Sequence, residues 1–389
     1  REITPADEFN MTLVGYLSFF DAPKQTAKES VAALKRLKVA PKILTGDQAA
    51  IAVSVCHRVG ISAEAVLTGA KLDEMTDSEL RKAVEEIYVF AELTPGQKVR
   101  LVSALQENGH SVGFLGDGVN DIPALNEANV GISVDTAAET VKEVADVVLL
   151  KKDLNVLEEG IKEGRRAFAN VSKYIRITAS SNFGNIFSIV IASAFLPFFP
   201  MTALQILLLN LLYDLLCLVL PWDQVDESIC AKPLEWSGKT LGRFMRFFGP
   251  ISSVFDIITF AYLFFVLCPA VCGGTFASLS GSGEQARFII LFQTGWFLES
   301  MWTQVLILHL LRTQKVPLLQ SRPSRPVMVV TLLGTAVFTL LTFTPMGEWI
   351  GLTALPPVYF VFLAVTVFFY LLWVTLAKRW YIRHYHELL

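Results

Sequence analysis

The sequence predicts a Rossmann-like α/β domain joined to an all-α polytopic membrane domain of six helices. Along residues 13–150, short β-like runs alternate with amphipathic helical stretches, which is the pattern of a mostly parallel sheet with helical crossovers. Residues 177–377 instead contain long apolar stretches with few ionisable groups, as in chains that cross lipid. The two patterns divide the chain into a soluble half and a membrane half.

The composition supports a membrane half and argues against nucleic acid as a partner. Apolar residues make up 53% of the 389 residues, which is high for an ordinary soluble protein. The formal net charge of −3 provides no extended basic surface. The five cysteines show no paired metal-binding spacing. Cys268 and Cys272 lie close together, which leaves open a disulfide in an oxidising compartment or two incidental thiols.

The elements of the soluble half are predicted from the spacing of apolar residues. We expect strands at residues 13–17 and near Ile43, Val89, Val112, Val130 and Val147. We expect helices at residues 26–37, 48–59, 96–108 and 121–128. Right-handed crossovers between these strands would give a mostly parallel sheet. A long helix is predicted over residues 153–178, running without a break into the first apolar segment and able to transmit motion.

Phosphate-type loops follow the apolar runs at three places. Gly116-Asp117-Gly118-Val119-Asn120-Asp121 follows residues 112–115, Thr45-Gly46-Asp47 follows residues 42–44, and Thr94-Pro95-Gly96-Gln97-Lys98 opens a helix after residues 87–90. Glycine lets the backbone approach a phosphate, and carboxylates hold Mg²⁺. Ordinary strand-to-helix turns are the alternative explanation. Three such loops at strand ends favour the ligand site, because ligands of open α/β sheets bind at the carboxyl ends of strands.

In this order the three loops resemble the phosphorylation domain of P-type cation-pumping ATPases, which belongs to the haloacid-dehalogenase-like superfamily. The resemblance continues through residues 145–149 and 164–166 into the membrane half. There the chain is most similar to bacterial magnesium-transporting P-type ATPases. The resemblance implies an ATP-driven cation pump with a phosphoenzyme cycle, and with ATP and catalytic Mg²⁺ as cofactors.

The resemblance also implies roles for the residues that contact the transferred phosphoryl group. The hydroxyl of Thr45 and the amide of Gly46 would bind its oxygens, and Lys98 would neutralise their charge as a flexible point cation. An ordinary solvated helix residue is the alternative for Lys98. Asp47 is assigned to the same catalytic set, and it could also cap the following helix.

The acids of the Gly116–Asp121 loop are assigned to the catalytic metal. Asp117 and Asp121 would hold Mg²⁺, and Asn120 would complete the metal and phosphate network. The family's phosphorylated aspartate lies in an Asp-Lys-Thr-Gly-Thr motif, which these residues do not contain. Asp21, in the Phe-Asp-Ala-Pro stretch of residues 20–23, resembles a different family element that starts a helix, so it is not assigned as the nucleophile.

The resemblance covers only part of a complete pump. The nucleotide-binding domain, which would bind most of the ATP, and the actuator domain with its Thr-Gly-Glu loop are absent from the 389 residues. We therefore expect the chain to be a C-terminal piece that does not hydrolyse ATP alone. Its partners would be the N-terminal part of the pump, the transported cation and membrane lipid.

Charge in the loops predicts the orientation of six membrane spans. The spans are predicted at residues 179–199, 203–221, 248–268, 287–310, 327–344 and 356–377. Lys and Arg occur in every second loop, and the loops at 269–286 and 345–355 contain neither, so both ends would be cytoplasmic in a bacterial plasma (inner) membrane. The predicted organisation is a partial phosphorylation domain (1–152), a stalk helix (153–178), the membrane domain (179–377) and a cytoplasmic tail (378–389).

Five polar side chains within the spans are candidate ligands of the transported ion: Asn185, Asn210, Asp214, Asp256 and Glu299. A helical rise of 1.5 Å per residue brings them to similar depths, and Asn210 lies on the same helix face as Asp214. Carboxylates in lipid are costly and normally face an ion path or a polar partner. A structural interhelical hydrogen bond is the alternative for each of them. The stretch from Asn210 to Asp214 resembles the ion-binding signature in the sixth helix of related pumps.

An oxygen-only ligand set favours a hard cation over copper or zinc. Mg²⁺ uses one or two carboxylates and retains several waters, so a sparse site fits it. Ca²⁺ could use similar ligands, and H⁺ needs only one buried acid, so magnesium rests on the resemblance. The leading hypothesis is magnesium import by a P-type ATPase. A Ca²⁺ or H⁺ pump, a non-catalytic membrane sensor or assembly subunit, and a membrane-tethered phosphatase are the alternatives.

Overall fold

The computed structural model describes residues 11–16, 26–151, 153–234, 236–317, 320–386 and 388. The chain forms two compact units, Arg1–Ile161 and Lys162–Leu389. The predicted fold class is confirmed, because the first unit contains parallel sheets and the second is helical. The finer division at residues 152, 178 and 377 stays a prediction.

The first unit contains two three-stranded parallel sheets. Their strands are β1 (Ile43–Leu44), β2 (Val66–Thr68), β3 (Val89–Ala91), β4 (Gly113–Leu115), β5 (Val130–Val134) and β6 (Val147–Leu149). The first sheet has the order β1-β3-β2, with Ile43 opposite Val89, and the second has the order β4-β5-β6, with Gly113 opposite Val130. The single sheet that the sequence predicted is therefore present as two sheets in the described residues.

In the described residues up to 151, seven α-helices accompany these strands. They are α1 (Ala27–Arg36), α2 (Ala49–Val59), α3 (Gly69–Glu74), α4 (Asp77–Glu86), α5 (Pro95–Glu107), α6 (Ile122–Glu127) and α7 (Glu139–Val144). Strand β3 is fully enclosed, as expected for a central parallel strand covered on both faces. The sequence analysis missed β2, α3, α4 and α7. Strand β2 has only three residues, and the three helices are short or mostly polar, so apolar spacing is a weak signal for all of them.

The strand predicted at residues 13–17 is wrong for its described part. Residues 11–16 have no regular structure, and Leu13 and Val14 are 83% and 98% exposed. A strand needs a neighbour to satisfy its backbone groups, and these residues pair with no strand in the described chain. Leu17 and Asp21 lie outside the described residues.

Nine helices are described in the remainder of the chain. They are α8 (Leu154–Phe195), α9 (Ala203–Cys217), α10 (Glu227–Cys230), α11 (Gly238–Tyr262), α12 (Cys268–Cys272), α13 (Ser282–Leu311), α14 (Arg325–Leu341), α15 (Pro345–Trp349) and α16 (Pro357–Tyr385). The continuous helix predicted from residue 153 into the first apolar segment is present as α8, which has 42 residues. A π-helical segment, Leu263–Leu267, joins α11 to α12.

Among the described residues, four helical segments are long and apolar enough to cross a membrane. They are Leu154–Phe195, Ala203–Trp222, Gly238–Cys272 and Pro357–Tyr385. The other two predicted spans correspond to α13 and α14. Helix α13 carries many buried polar side chains, and α14 has only 17 residues. Six spans therefore stay a prediction, of which four satisfy length and composition.

A fully buried ionic cluster lies among the loops of the second unit. Arg312 donates to both carboxylate oxygens of Asp223, at 2.7 and 2.9 Å, and Lys173 lies 3.2 Å from the same carboxylate. Lys173 also donates to the amide oxygen of Asn170 at 2.9 Å. The cluster ties α8 to the segment after α9 and to the end of α13. It was not predicted, because loop charges were interpreted only as orientation signals.

Candidate functional site

The loop after β1 is held by a local hydrogen-bond network. The amide of Thr45 donates to the carbonyl of Phe90 at 3.0 Å, which continues the pairing of β1 with β3. The hydroxyl of Thr45 donates to a carboxylate oxygen of Asp47 at 2.9 Å and accepts the Asp47 amide at 3.1 Å. Gly46 and Asp47 are exposed at this carboxyl end of the strand. The predicted Thr45–Gly46–Asp47 loop thus presents an amide, a hydroxyl and a carboxylate together.

Glu92, which the sequence analysis missed, supports this loop. It has a left-handed backbone conformation, with φ of 57°. Its amide donates to the carbonyl of Asp47 at 2.9 Å, and its carboxylate accepts the amide of Ala49 at 3.2 Å. The helix-capping role considered for Asp47 is therefore wrong, because Glu92 accepts the amide at the start of α2. A left-handed glutamate has no sequence signal, since this conformation is typical of Gly and Asn.

Helix α5 begins with a capping box and carries Lys98. The hydroxyl of Thr94 accepts the amide of Gln97, and the Gln97 side chain accepts the amide of Thr94 at 2.9 Å. Lys98 follows in the first turn, and its ammonium lies 2.6 Å from a carboxylate oxygen of Asp121. Their side chains are only 12% and 16% exposed, so the pair is partly shielded from water. The structure therefore joins the Thr94–Lys98 loop to the Gly116–Asp121 loop.

The Gly116–Asp121 loop requires glycine at its first position. A Cβ added at Gly116 would lie 2.7 Å from the Cβ of Asp121, which no other residue could tolerate without a shift. The loop closes in a 3₁₀ turn, Val119–Asp121, which turns Asp121 back toward Lys98. Asp117 and Asn120 are exposed. The loop therefore leaves one carboxylate and one amide accessible beside a paired carboxylate.

The two sheets share apolar contacts beneath these loops. Leu44 of β1 packs against the cluster that contains Phe114 of β4 and Val102 of α5. The loops after β1 and β4 therefore belong to one region of the first unit. The described residues contain no group of three His, Cys, Asp or Glu that could hold a metal ion. Mg²⁺ bound with a phosphate needs only one or two carboxylates, so Asp117 and Asp121 fit such an ion.

In the second unit, Asp256 of α11 is buried and doubly hydrogen-bonded. The hydroxyl of Ser188 on α8 donates to one carboxylate oxygen at 2.6 Å, and the indole N–H of Trp296 on α13 donates to the other at 2.8 Å. Glu299 on α13 is fully buried, and it faces Asp256. Asp256 and Glu299 are therefore the two candidate ligands that the structure brings together.

The other three candidate ligands lie elsewhere on the helices. Asn210 and Asp214 are exposed on α9, and Asn185 is half-buried on α8. The described residues contain no group of three acids that would join Asp214 to Asp256 and Glu299. Helical depth fixes the level of a residue along a span, but not the direction in which its side chain points. Ion binding by each residue stays a prediction.

Comparison with protein families divides the chain in the same way. A model described as haloacid dehalogenase-like hydrolase matches residues 2–129, and a second model with the same description matches residues 99–161. A model described as cation transporting ATPase, C-terminus, matches residues 198–380.

Individual relatives match almost the whole chain. The magnesium-transporting ATPase, P-type 1, of Salmonella typhimurium strain LT2 is 48% identical over 381 residues, which cover 98% of this chain and 40% of that protein. The protein of the same name from Escherichia coli K12 is 45% identical over 380 residues, or 98% of this chain and 41% of that protein. The probable cation-transporting ATPase F of Mycobacterium tuberculosis H37Rv is 36% identical over 232 residues, or 58% of this chain and 26% of that protein.

The chain spans about two fifths of the length of the magnesium-transporting relatives. The similarity covers both units, including the phosphate-type loops and the apolar helices. The chain thus matches haloacid dehalogenase-like hydrolases in its first part and the C-terminal region of cation transporting ATPases in its second, and it is similar to P-type magnesium-transporting ATPases across nearly all of its length.

Proposed function

We propose that this chain is part of an ATP-driven pump that imports Mg²⁺ across a bacterial plasma membrane. The observation that carries this proposal is the 45–48% identity to magnesium-transporting ATPases over 98% of the chain. The pump would cycle through a phosphoenzyme whose aspartate is supplied by residues outside the 389. On this proposal the chain does not hydrolyse ATP alone, and both of its ends are cytoplasmic.

The loops of the first unit support phosphoryl transfer in the complete pump. Thr45 and Gly46 would bind phosphoryl oxygens, with Asp47 holding the Thr45 hydroxyl in place. Lys98 would neutralise developing negative charge, while its pairing with Asp121 at 2.6 Å keeps the flexible ammonium oriented. Preorganised charge of this kind lowers the barrier because it needs no rearrangement during the reaction.

The acids of the Gly116–Asp121 loop would hold the catalytic metal. Asp117 and Asp121 are the carboxylates, and Asn120 is the neighbouring amide. The glycine at 116 is required there, since a Cβ would displace Asp121. A Mg²⁺ ion held by these oxygens would supply positive charge that neutralises the phosphoryl group. ATP itself would be bound mainly by a nucleotide-binding domain outside this chain.

The exposed polar face of α9 supports an ion site that is completed from outside the chain. Asn210 and Asp214 lie on one face of this otherwise apolar helix, alongside exposed leucines such as Leu207 and Leu211. A carboxylate directed at lipid is costly, so this face would be covered by helices of the N-terminal part. Asn185 on α8 would contribute its amide oxygen to the same site.

Substitution of Asp214 in the full-length pump tests this function. Asp214→Asn removes the charge that would compensate a divalent cation, so Mg²⁺-stimulated ATP hydrolysis should fall at least about 100-fold, as when a key charge is lost from an active centre. Membrane insertion should be unchanged. The matched control is Glu284→Gln, which neutralises an exposed acid at the start of α13 and should leave the stimulation unaltered.

The identity of the ion is tested by cation-dependent phosphoenzyme formation. Mg²⁺, Ca²⁺ and H⁺ would be compared one at a time on the full-length protein. Phosphoenzyme that responds to Ca²⁺ or to pH, with no response to transported Mg²⁺, would favour one of the alternative pumps. Stimulation that persists unchanged in Asp214→Asn would reject the assignment of that residue.

A further inference from the structure

The carboxylate of Asp256 is fixed from two neighbouring helices. Ser188 on α8 and Trp296 on α13 each donate to a different oxygen, at 2.6 and 2.8 Å. Asp256 is only 4% exposed, so these bonds are shielded from competition with water. Hydrogen bonds to an ionised acceptor are stronger than neutral ones. Asp256 is therefore held in one orientation.

Glu299 has the opposite character. It lies three residues after Trp296 on α13 and is fully buried, yet neither of its carboxylate oxygens has a hydrogen-bond partner in the described chain. The hydroxyl of the adjacent Ser300 faces Asp256, and it likewise meets the distance and angle of a hydrogen bond with no described residue. Buried polar atoms left in this state are costly. These oxygens therefore indicate a ligand.

The described residues around Asp256 and Glu299 supply no cation of their own. Apart from Asp256, the titratable groups facing Glu299 are the neutral phenols of Tyr359 and Tyr370 on α16. No lysine, arginine or histidine in the described residues forms an ion pair with either acid. Two facing carboxylates have only acceptor oxygens, so they repel unless a positive species lies between them.

We propose that Asp256 and Glu299 together bind a hard cation at an enclosed site, which is distinct from the exposed face of Asp214. Trp296 and Ser188 are the positioning residues of this site. The open oxygens are those of Glu299 and the Ser300 hydroxyl, while Trp296 and Ser188 fix the partner carboxylate. The ligand class is a small cation that prefers oxygen, such as Mg²⁺. This inference rests on the proposed function, because it adds a second cation position to the transport path.

The decisive variant removes one hydrogen-bond donor and retains the aromatic ring. Trp296→Phe in the full-length pump frees one oxygen of Asp256, and a lost bond to a charged group corresponds to about a tenfold weaker affinity or more. The matched control is Trp302→Phe on the same helix, whose indole donates to Thr339 at 3.2 Å, outside this site. The Trp302→Phe substitution should change Mg²⁺ affinity by less than about twofold. The measurement is calorimetric titration of Mg²⁺ without nucleotide.

A second pair of variants keeps the test valid if the Trp296 variant does not fold. Ser188→Ala removes the other donor to Asp256. Ser180→Ala, on the same helix, removes a buried hydroxyl that has no hydrogen-bond partner among the described residues. We expect weaker Mg²⁺ binding only in the first variant, and only for the enclosed site. A loss of folding would affect size-exclusion profiles, whereas a positioning effect changes the affinity of correctly folded protein.

Glu299→Gln separates a bound cation from a bound proton. The carboxamide of glutamine imitates a protonated carboxylic acid. If the two acids share a proton, Glu299→Gln should leave Mg²⁺ affinity unchanged. If they bind Mg²⁺, Glu299→Gln should abolish Mg²⁺ binding at the enclosed site. Wild-type affinity in Glu299→Gln, or in both Trp296→Phe and Ser188→Ala, would overturn the inference. If Asp214→Asn alone weakens binding, the proposed function stands and this inference fails. If Mg²⁺ does not stimulate the wild-type pump, the proposed function itself fails.

Discussion

At the scale of residues, the contact that joins the predicted loops is the Lys98–Asp121 ion pair. Lys98 and Asp121 lie 23 positions apart in the chain, and their side chains meet at 2.6 Å. Their small exposed fractions make the pair more strongly coupled than a surface salt bridge. Lys142 and Glu139 offer a contrasting surface pair at 2.9 Å, in which the glutamate is 77% exposed.

Neutralising Lys98 should therefore affect phosphoryl transfer far more than neutralising Lys142. Lys98→Gln removes positive charge next to the transferred group, and we expect about a 100-fold slower formation of phosphoenzyme in the full-length pump. Lys142→Gln removes an exposed i,i+3 pair and should leave the rate unchanged. The measurement is the rate of phosphate incorporation from labelled ATP. Equal rates in the two variants would contradict the role of Lys98.

At the scale of elements, capping boxes fix where helices of the first unit begin. In α4 the hydroxyl of Thr76 accepts the amide of Glu79, and the Glu79 carboxylate accepts the Thr76 amide at 2.9 Å. The backbone hydrogen bond from Thr76, followed by the bond from its hydroxyl, lowers the pKa of Glu79 below its usual value. The helix start is thus coupled to the ionisation of an exposed glutamate.

The start of α4 should loosen in acid. The pKa of Glu79 is lower in the folded protein than in the unfolded chain, so its stabilisation is complete above the unfolded value of about 4.3 and is lost as the pH falls through the lower folded value. Hydrogen exchange of the Thr76 amide, measured between neutral pH and about pH 3 and corrected for intrinsic exchange, should report this loss. Glu79→Gln keeps an acceptor without the charge and should remove the pH dependence.

Helix packing in the second unit depends on a close approach of α8 and α11. A Cβ added at Gly184 would lie 2.8 Å from the carbonyl oxygen of Gly249, and backbone cannot move aside as a side chain can. The hydroxyl of Ser253 also donates to the carbonyl of Gly184 at 3.0 Å. This crossing places Ser188 of α8 within reach of Asp256 on α11.

Gly184→Ala should separate these helices and destabilise the protein. Overpacking of this kind costs about 1–3 kcal/mol. Gly242→Ala on α11 meets no atom within 4 Å and serves as the control. Thermal unfolding of the full-length protein in detergent, followed by size-exclusion chromatography, should show a lower transition temperature only for Gly184→Ala. An unchanged transition would mean that the crossing can relax.

At the scale of the whole molecule, the second unit is held together at its loops by the buried Asp223 cluster. The Asp223 carboxylate accepts hydrogen bonds from the side chains of Arg312 and Lys173. It also accepts one from the amide of Ser324 at 3.2 Å. Three separate parts of the second unit therefore depend on one carboxylate. Breaking a buried ion pair is costly because the remaining charges stay buried without compensation.

Asp223→Asn should severely reduce the yield of folded protein. Loss of one partner from a buried pair costs about 3–5 kcal/mol, which is a large part of typical stability. Glu163→Gln is the control, since Glu163 pairs with Arg166 at the surface and its side chain is 65% exposed. The measurement is the amount of monodisperse protein recovered from membranes. Equal recovery for the two variants would show that the cluster does not limit folding.

The two-part architecture and the composition of the phosphate-type loops can be predicted from the amino-acid sequence alone. Local chemistry is sufficient for these features, because strand ends, glycines and apolar spans can be recognised from neighbouring residues. The long helix α8 and the position of Lys98 on α5 were likewise predictable from short patterns.

Only the tertiary structure decided which side chains meet. It paired Lys98 with Asp121, enclosed Asp256 with Glu299, and left Asp214 exposed. It also split the predicted sheet in two and left residues 11–16 without a partner strand. The physical reason is that helical rotation, helix crossing and strand pairing depend on residues distant in the chain, whereas the patterns that predict elements are local.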